Sequence, residues 1–256
     1  MVRLRRRGVK APANWQTKVD AALPNAAEFW RKAARFERLD EQSPTRVKGF
    51  VRWAPHVLPK PKGKKAPEFP AVWRDGQVKR AISKMSNGYC AYCQTSVSAN
   101  HPGKVPGQVE HFKPKSRFPT LAYDVNNYFL VCGACNLKKH DQWPRGGYVR
   151  PDRADPAKRF VFDEDGSIRA ARSRDVQAQQ TIDDFGLQRR GLKKLRRVMI
   201  KAQLRTLRLT LQLPRVRLTK RQLDRWLVKP FSPLSEAVNQ NVQRVCAEWR
   251  KKRRPC

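Results

Sequence analysis

Apolar positions recur with a helical period in several stretches of the chain. Residues 26–40 read AAEFWRKAARFERLD, and their aromatic stripe predicts a helix that Asn25 caps. The stretch QVKRAISKMS also has one apolar face, and it stops at Asn87-Gly88, a pair typical of a helix C-terminus. The pattern therefore predicts two helices in the first third of the chain, and the second leads directly to Cys90.

The pattern changes in the centre of the chain, where short apolar runs replace the helical period. Glu110 and His111 end one apolar-flanked run, and Pro114 forces the chain out of it. A second run, YFLV, leads into Cys132 and is followed by CNLKK, which carries Asn136 and starts a helix. The order strand, strand, helix is therefore predicted for this part of the chain.

The last third returns to helical periodicity. First, RFVFD and GSIRA flank Asp165-Gly166 and predict a hairpin. Three helices are predicted after it: a basic amphipathic helix over 187–212, one that opens at Thr219, and one that opens at Ser232-Pro233. The predicted fold class is α+β, mainly helical.

Charge divides the chain into three regions. The net charge of +35 is carried mainly by residues 1–80, with 20 basic and 7 acidic side chains, and by 187–256, with 21 and 3. Residues 81–186, with 15 and 11, are nearly balanced. We predict a basic N-terminal region (1–75, including the Pro- and Lys-rich connector 54–70), a central core (76–186) and a basic helical region (187–256). Such an excess of positive charge indicates nucleic acid as the partner, although a single basic cluster is equally typical of a solvated face.

Four of the six cysteines form two CxxC pairs, and this spacing is typical of metal ligands in a reducing compartment. Two such pairs supply four thiolates to one tetrahedral Zn²⁺, which leaves no open position for water, so the zinc is predicted to be structural. The ligands are Cys90, Cys93, Cys132 and Cys135. The sequence lacks an apolar run long enough to span a membrane, and its start lacks a signal-peptide core. We therefore predict a cytoplasmic protein that is not associated with a membrane.

With CxxC, VEHF and NNYFLVCGACNLKK in this order, the chain resembles the HNH endonucleases, whose ββα-metal core follows the same pattern. A narrower resemblance, over about residues 78–200, is to the HNH nucleases of bacterial anti-phage systems, the Septu type and its retron-associated relatives. The text that carries it includes RPDRADPAKRFVFDEDGSIRA and TIDDFGLQRRGLKKLRR.

The resemblance implies a role for each motif position. It implies that Glu110 and Asn136 bind a catalytic Mg²⁺ or Mn²⁺, that His111 is the general base, and that Asn127 holds the loop that aims His111. Glu110 stands where Asp is commoner in the family, and Asn136 where many members have His; both bind hard cations through oxygen. Phosphate contacts are expected from nearby basic residues: Lys113, Lys115, Arg117, Lys138 and Lys139.

Three interpretations remain open at this stage. The first is a metal-dependent HNH endonuclease for DNA or RNA, and the second is a non-catalytic zinc ribbon that binds nucleic acid. The third extends the first, because the defence-type resemblance implies an ABC/AAA-type ATPase partner inside whose complex the nuclease is active. Phosphate attraction is common to DNA and RNA, so the sequence does not separate the two substrates.

Overall fold

A computed structural model provides the structure of the chain. It describes residue 4 and residues 11–25, 70–97, 106–153, 155–212, 226–227 and 234–252. The predicted helix over 26–40, nearly all of the connector 54–70 and the predicted helix that opens at Thr219 lie outside these residues.

Residues 15–25 are helical and belong to helix α1. Its residues Trp15, Val19 and Ala22 share one face and are buried. The Trp15 indole donates a hydrogen bond to the carbonyl oxygen of Tyr123, over 3.2 Å. Asn25 is itself helical, so the predicted cap at this residue is wrong.

Helix α2, Gly76–Ser86, agrees with its prediction. The Asp75 side chain caps it by accepting a hydrogen bond from the backbone N–H of Gln77. It ends at Asn87, whose φ of 50° is the left-handed conformation expected at a helix C-terminus. The turn that follows carries Cys90.

The predicted strand–strand–helix unit is confirmed. Strand β1, Gly107–His111, pairs antiparallel with β2, Tyr128–Cys132, so that Glu110 lies opposite Phe129 and His111 opposite Tyr128. All five residues of β2 are buried, because α2 packs on the sheet formed with β1. Helix α3, Gly133–Lys139, follows β2 without a loop and thereby brings Asn136 beside β1.

The predicted hairpin is also confirmed, as β3, Phe160–Phe162, and β4, Ile168–Ala170. A short helix, α4, Pro156–Arg159, precedes it. The buried guanidinium of Arg196, from the helix over Arg190–Gln212, donates to the carbonyl oxygen of Gly166 in the hairpin turn, at 3.3 Å. It also donates to the carbonyl oxygen of Leu187, at 2.8 Å, and so ties the hairpin to this helix.

Three longer helices complete the fold as the structure describes it. The sequence analysis missed α5, Val176–Asp184, which Asp175 caps by accepting from the N–H of Ala178. Helix α6, Arg190–Gln212, confirms the predicted basic amphipathic helix, and α7, Ser235–Lys252, lies within three residues of its predicted start. The last two pack against each other, and α7 also contacts β3.

The predicted α+β, mainly helical class is therefore confirmed. One buried core runs from α1 through the central sheet to α7. The predicted domain boundaries after residues 75 and 186 stay predictions. None of the helices in the described ranges combines the length and the apolar character needed to cross a bilayer.

Candidate active site

The four predicted zinc ligands lie together. Cys90 and Cys93 belong to the turn after α2, Cys132 ends β2, and Cys135 lies in the first turn of α3. All four side chains are buried, and their sulfur atoms lie within 4.8 Å of one another. The Sγ atoms of Cys93 and Cys132 are 3.6 Å apart, close to the separation of about 3.8 Å that a tetrahedral site with Zn–S bonds of about 2.3 Å requires.

The surroundings of the four sulfur atoms also suit a zinc–thiolate centre. Hydrogen bonds within the cluster lower the pKa of Cys93 and Cys132, whereas burial raises the pKa of Cys90 and a hydrogen bond from Cys132 raises that of Cys135. Arg189, the residue before α6, lies beside the cluster. Its guanidinium nitrogens are 3.6 Å from Sγ of Cys135 and 3.9 Å from Sγ of Cys132. Four thiolates around one Zn²⁺ carry an excess negative charge, which this guanidinium offsets. The residues present therefore fit zinc.

His111 ends β1 with its imidazole buried. Its Nε2 lies 2.9 Å from the carbonyl oxygen of Ala122. Because a carbonyl only accepts, this geometry assigns the proton to Nε2 and leaves the lone pair on Nδ1. Among the described residues, Nδ1 has no hydrogen-bond partner. The ring is held edge-to-face between Trp73 and Tyr128, with centroid distances of 4.8 Å and 4.9 Å.

The imidazole of His111 is neutral in this environment. Burial, aided by the positive charge of Lys115, lowers its pKa to about 3, although the bond to Ala122 acts in the opposite direction. A neutral imidazole can accept a proton at Nδ1, although a pKa of about 3 makes it a weak base at neutral pH.

Asn127 cross-links two backbone segments that follow His111 in the chain. Its amide nitrogen donates to the carbonyl oxygens of Lys113, at 2.9 Å, and Leu121, at 3.2 Å. Its amide oxygen accepts from the N–H of Lys113, at 2.9 Å. Leu121 precedes Ala122, so Asn127 ties the segment after His111 to the loop whose carbonyl holds the ring.

Glu110 is buried beside His111, and Lys139 donates to its Oε1. Burial raises the pKa of Glu110, while Lys139 opposes this shift. Lys139 is 0% exposed and also donates to the carbonyl oxygen of His111, at 2.8 Å. Lys139 is therefore held in a buried ion pair, because the buried carboxylate draws this side chain inward. No residue in the described ranges donates to Oε2 of Glu110.

Asn136 projects from α3 toward β1, where its amide nitrogen donates to Oε1 of Gln108, at 2.7 Å. Its amide oxygen has no hydrogen-bond donor among the described residues. Glu110, His111 and Asn136 line one cleft of about 800 Å³. The structure therefore brings these three predicted residues together, and Asn127 lies behind the cleft rather than in its lining.

The predicted phosphate-contacting residues are distributed unequally. Lys115 lines the cleft, with its ammonium group 5.2 Å from the centre of the Trp73 ring. Arg117 and Lys138 are exposed outside the cleft lining, and Lys113 lies near the ring of Phe118. Of the five predicted cations, Lys115 is the one that the cleft presents to a ligand.

The ββα unit, with His111, Glu110 and Asn136 around one cleft and a four-cysteine cluster at its base, can be compared with known proteins. Residues 90–142 match the family model of the HNH endonucleases. The resemblance drawn from the sequence is thereby confirmed for this segment.

A curated relative supports the narrower resemblance. The chain is 36% identical over 73 residues to the Septu protein PtuB of Bacillus thuringiensis. The match covers 28% of this chain and spans about a quarter of the relative, 27% of its length. The Septu-type resemblance is confirmed over that stretch.

Several residues of the HNH cleft were missed by the sequence analysis. Trp73 and Arg74 line it from a segment assigned to the N-terminal region, and Gln108 lines it two residues before Glu110 on the same strand. His140 lines the cleft four residues after Asn136, with its Nδ1 2.7 Å from Oδ1 of Asp141. Strand and helix periodicity signal Gln108 and His140, but no local pattern signals Trp73.

Proposed function

We propose that the chain is a metal-dependent HNH endonuclease that hydrolyses phosphodiester bonds of nucleic acid. The observation that carries the proposal is the arrangement of His111, whose Nε2 is bound to Ala122 while its neutral Nδ1 keeps a lone pair. The same cleft contains the side chains of Glu110 and Asn136. A base of this kind and two oxygen ligands are what hydrolysis assisted by a divalent ion requires.

The oxygen atoms available in the cleft fit a hard cation. Oε2 of Glu110 and the amide oxygen of Asn136 accept no hydrogen bond from the described residues, and both are ligand types that Mg²⁺ and Mn²⁺ prefer. We assign the ion to these two side chains. When bound, it stabilises the negative charge that develops on the phosphate and the leaving oxygen.

His111 and Lys115 perform the remaining steps in this proposal. Nδ1 of His111 removes a proton from the attacking water, and the bond from Nε2 to Ala122 stabilises the imidazolium that forms. Lys115, one of the cations that line the cleft, binds a phosphate oxygen and offsets the charge that repels the nucleophile. Asn127 acts indirectly by holding the loop that aims His111.

We further propose a role in bacterial anti-phage defence, in the cytoplasm and together with an ABC/AAA-type ATPase. The match to a Septu protein supports this context. The net charge of +35 supports nucleic acid as the substrate, with DNA favoured over RNA such as tRNA.

One observation favours the alternative of a non-catalytic zinc ribbon. Lys139 already occupies one oxygen of Glu110, the proposed ligand of the catalytic ion. In that alternative, the ion pair is a structural element of the ββα unit and the basic surface alone binds nucleic acid.

A cleavage assay separates the two functions. Purified chain, alone and with a co-encoded ATPase, is incubated with plasmid DNA or total tRNA in Mg²⁺, Mn²⁺ or EDTA, next to the His111→Ala variant. We expect cleavage that needs the metal and is lost in the variant, while zinc content and nucleic-acid binding are retained. Tight binding without cleavage in every condition, by a folded chain that contains zinc, would establish the ribbon instead. Lys84→Ala, an exposed change on α2, serves as the control for cleavage.

A further inference from the structure

Helix α6 carries a continuous line of basic side chains on its solvent-exposed surface. Its members follow one another at intervals of three or four residues, so they share one side of the helix. We call this line the basic stripe, and all of its members are exposed: Arg190, Lys194, Arg197, Lys201, Arg205 and Arg208. The other face of α6 packs into the core through buried residues such as Ile200 and Leu204.

The stripe is poorly neutralised by the protein itself. Residues 190–212 contain eight Lys and Arg residues and no Asp or Glu. Arg208 pairs with Glu164, at 2.6 Å. The other five members form no ion pair with a residue that the structure describes. Like charges at these spacings destabilise a helix, so the arrangement is unfavourable unless an anion binds along it.

The stripe begins next to the HNH segment. Arg189, the residue before its first member, contacts Sγ of Cys135, and Cys135 directly precedes Asn136 of the cleft. Gly186 is also packed against Lys138 of α3, because a Cβ at Gly186 would lie 3.2 Å from Cγ of Lys138. An anionic polymer that crosses α3 can therefore continue onto α6.

We propose that the basic stripe binds the sugar–phosphate backbone of a nucleic-acid duplex outside the cleft, on the assumption that the chain is the nuclease proposed above. At a rise of 1.5 Å per residue, the stripe is about 27 Å long, which corresponds to about 8 base pairs of duplex. The contacts are to phosphates, so they add affinity and position the substrate without reading its sequence.

The test measures binding of a fluorescent 30-bp duplex to the full chain in EDTA over a range of salt concentrations. The stripe variant is Lys194→Gln, Lys201→Gln and Arg205→Gln. The matched control, Lys84→Gln, Lys158→Gln and Arg174→Gln, removes the same charge from exposed positions outside the stripe. Gln keeps the helix propensity of Lys and Arg, and circular dichroism checks the fold of both variants. DNA and RNA duplexes of one sequence separate the two sources of the backbone.

Each phosphate contact contributes about 0.9 to the slope of log K against log salt for a DNA duplex. We expect the slope of the stripe variant to fall by about 2 to 3 and its affinity near 0.1 M salt to fall at least about tenfold, with little change in the control. Equal losses in both variants would indicate a general charge effect and overturn the proposal. A stripe variant that binds like wild type would also overturn it, and would leave the stripe as a surface for an acidic protein.

Cleavage is measured separately with Mg²⁺ or Mn²⁺, so the two proposals can fail independently. A wild-type chain that binds duplex through the stripe but does not cut it would contradict the nuclease and support the stripe. A chain that cuts, and whose stripe variant cuts long and short duplexes with unchanged KM, would contradict the stripe alone.

Discussion

Nε2 of His111 lies 2.9 Å from the carbonyl oxygen of Ala122. This contact determines which ring nitrogen keeps its lone pair, and it comes from a loop outside the strand that carries the histidine. The hydroxyl of Tyr128 donates to the same carbonyl, at 2.6 Å, so the oxygen is held from two sides. The orientation of the proposed base therefore depends on how firmly this loop is attached to β1.

Asn127 attaches the Ala122 loop to the segment that follows β1. Asn127→Ala should therefore impair cleavage, although Asn127 does not line the cleft. We expect kcat to fall by about 100-fold with little change in KM, because a misplaced base slows the chemical step more than it weakens binding. Loss of three part-buried hydrogen bonds should also lower the free energy of unfolding by about 1–3 kcal/mol. Steady-state kinetics and urea unfolding measure the two effects.

Asn126→Ala is the matched control for this change. Asn126 is exposed, and its side chain makes no hydrogen bond to a described residue. It should leave both quantities unchanged. If Asn127→Ala altered stability but not kcat, Asn127 would have no positioning role.

The ion pair between Glu110 and Lys139 gives a second prediction. Lys139→Met should leave a buried carboxylate without its partner. In the absence of Mn²⁺, we expect the free energy of unfolding to fall by about 3–5 kcal/mol. Added Mn²⁺ should restore part of this loss, since the ion supplies the missing positive charge. Thermal unfolding with and without Mn²⁺ measures both.

The double variant Glu110→Gln/Lys139→Met is the control, because it removes the buried carboxylate charge together with its partner. It should be more stable than Lys139→Met alone and should not respond to Mn²⁺. Recovery by Mn²⁺ in the double variant would show that the ion binds elsewhere.

The elements that the sequence predicted correctly are those with strong local signals. The apolar runs around Glu110 and before Cys132 predict β1 and β2, and the CxxC spacing predicts the four-cysteine cluster. The cleft needs more than this, because Trp73 reaches His111 through the tertiary fold and leaves no periodic trace in the sequence. The helices α1 and α5 were missed although their buried residues, such as Trp15, Val19 and Ala22 in α1, stand at helical spacing.

Lys139 lies in an environment that its sequence position does not reveal. In the sequence it is one of two adjacent lysines on a short helix, and nothing distinguishes it from Lys138. Helical geometry turns Lys138 toward solvent and Lys139 toward β1, where Glu110 is buried. The burial of Glu110 is a tertiary property, so the ion pair could not be predicted locally.

The contact of Arg189 with two zinc-ligand sulfurs gives a third prediction. Arg189→Gln should weaken zinc binding by about tenfold, since an outer partner that offsets the thiolate charge is lost. Release of zinc to a chromogenic chelator should be correspondingly faster. Arg190→Gln, a change at the exposed neighbour, should release zinc at the wild-type rate. Equal rates for both variants would remove Arg189 from the zinc site.

Asp175 gives a pH-dependent prediction. Its bidentate pair with Arg159, at 2.6 and 2.7 Å, lowers the pKa of Asp175 in the folded chain. A lowered folded-state pKa contributes stability that is present above the ordinary value of 3.8 and is lost as the pH falls through the folded value. Asp175→Asn keeps the helix cap but removes the charge. It should lower stability by about 1–2 kcal/mol at pH 7, with a shrinking difference below pH 4. A difference that does not change with pH, in urea unfolding, would contradict this.

Gly166, at the turn of the β3–β4 hairpin, is required by a close approach between backbones. Its φ is +86°, and a Cβ there would lie 2.1 Å from the carbonyl oxygen of Lys193 in α6. Gly166→Ala should therefore separate the hairpin from the helix and lower the free energy of unfolding by about 3 kcal/mol or more. Gly146 has a similar φ of +89° but nothing within 4 Å, so Gly146→Ala should cost about 1–2 kcal/mol for backbone strain alone. Equal losses in urea unfolding would mean that φ, and not the contact with α6, requires the glycine.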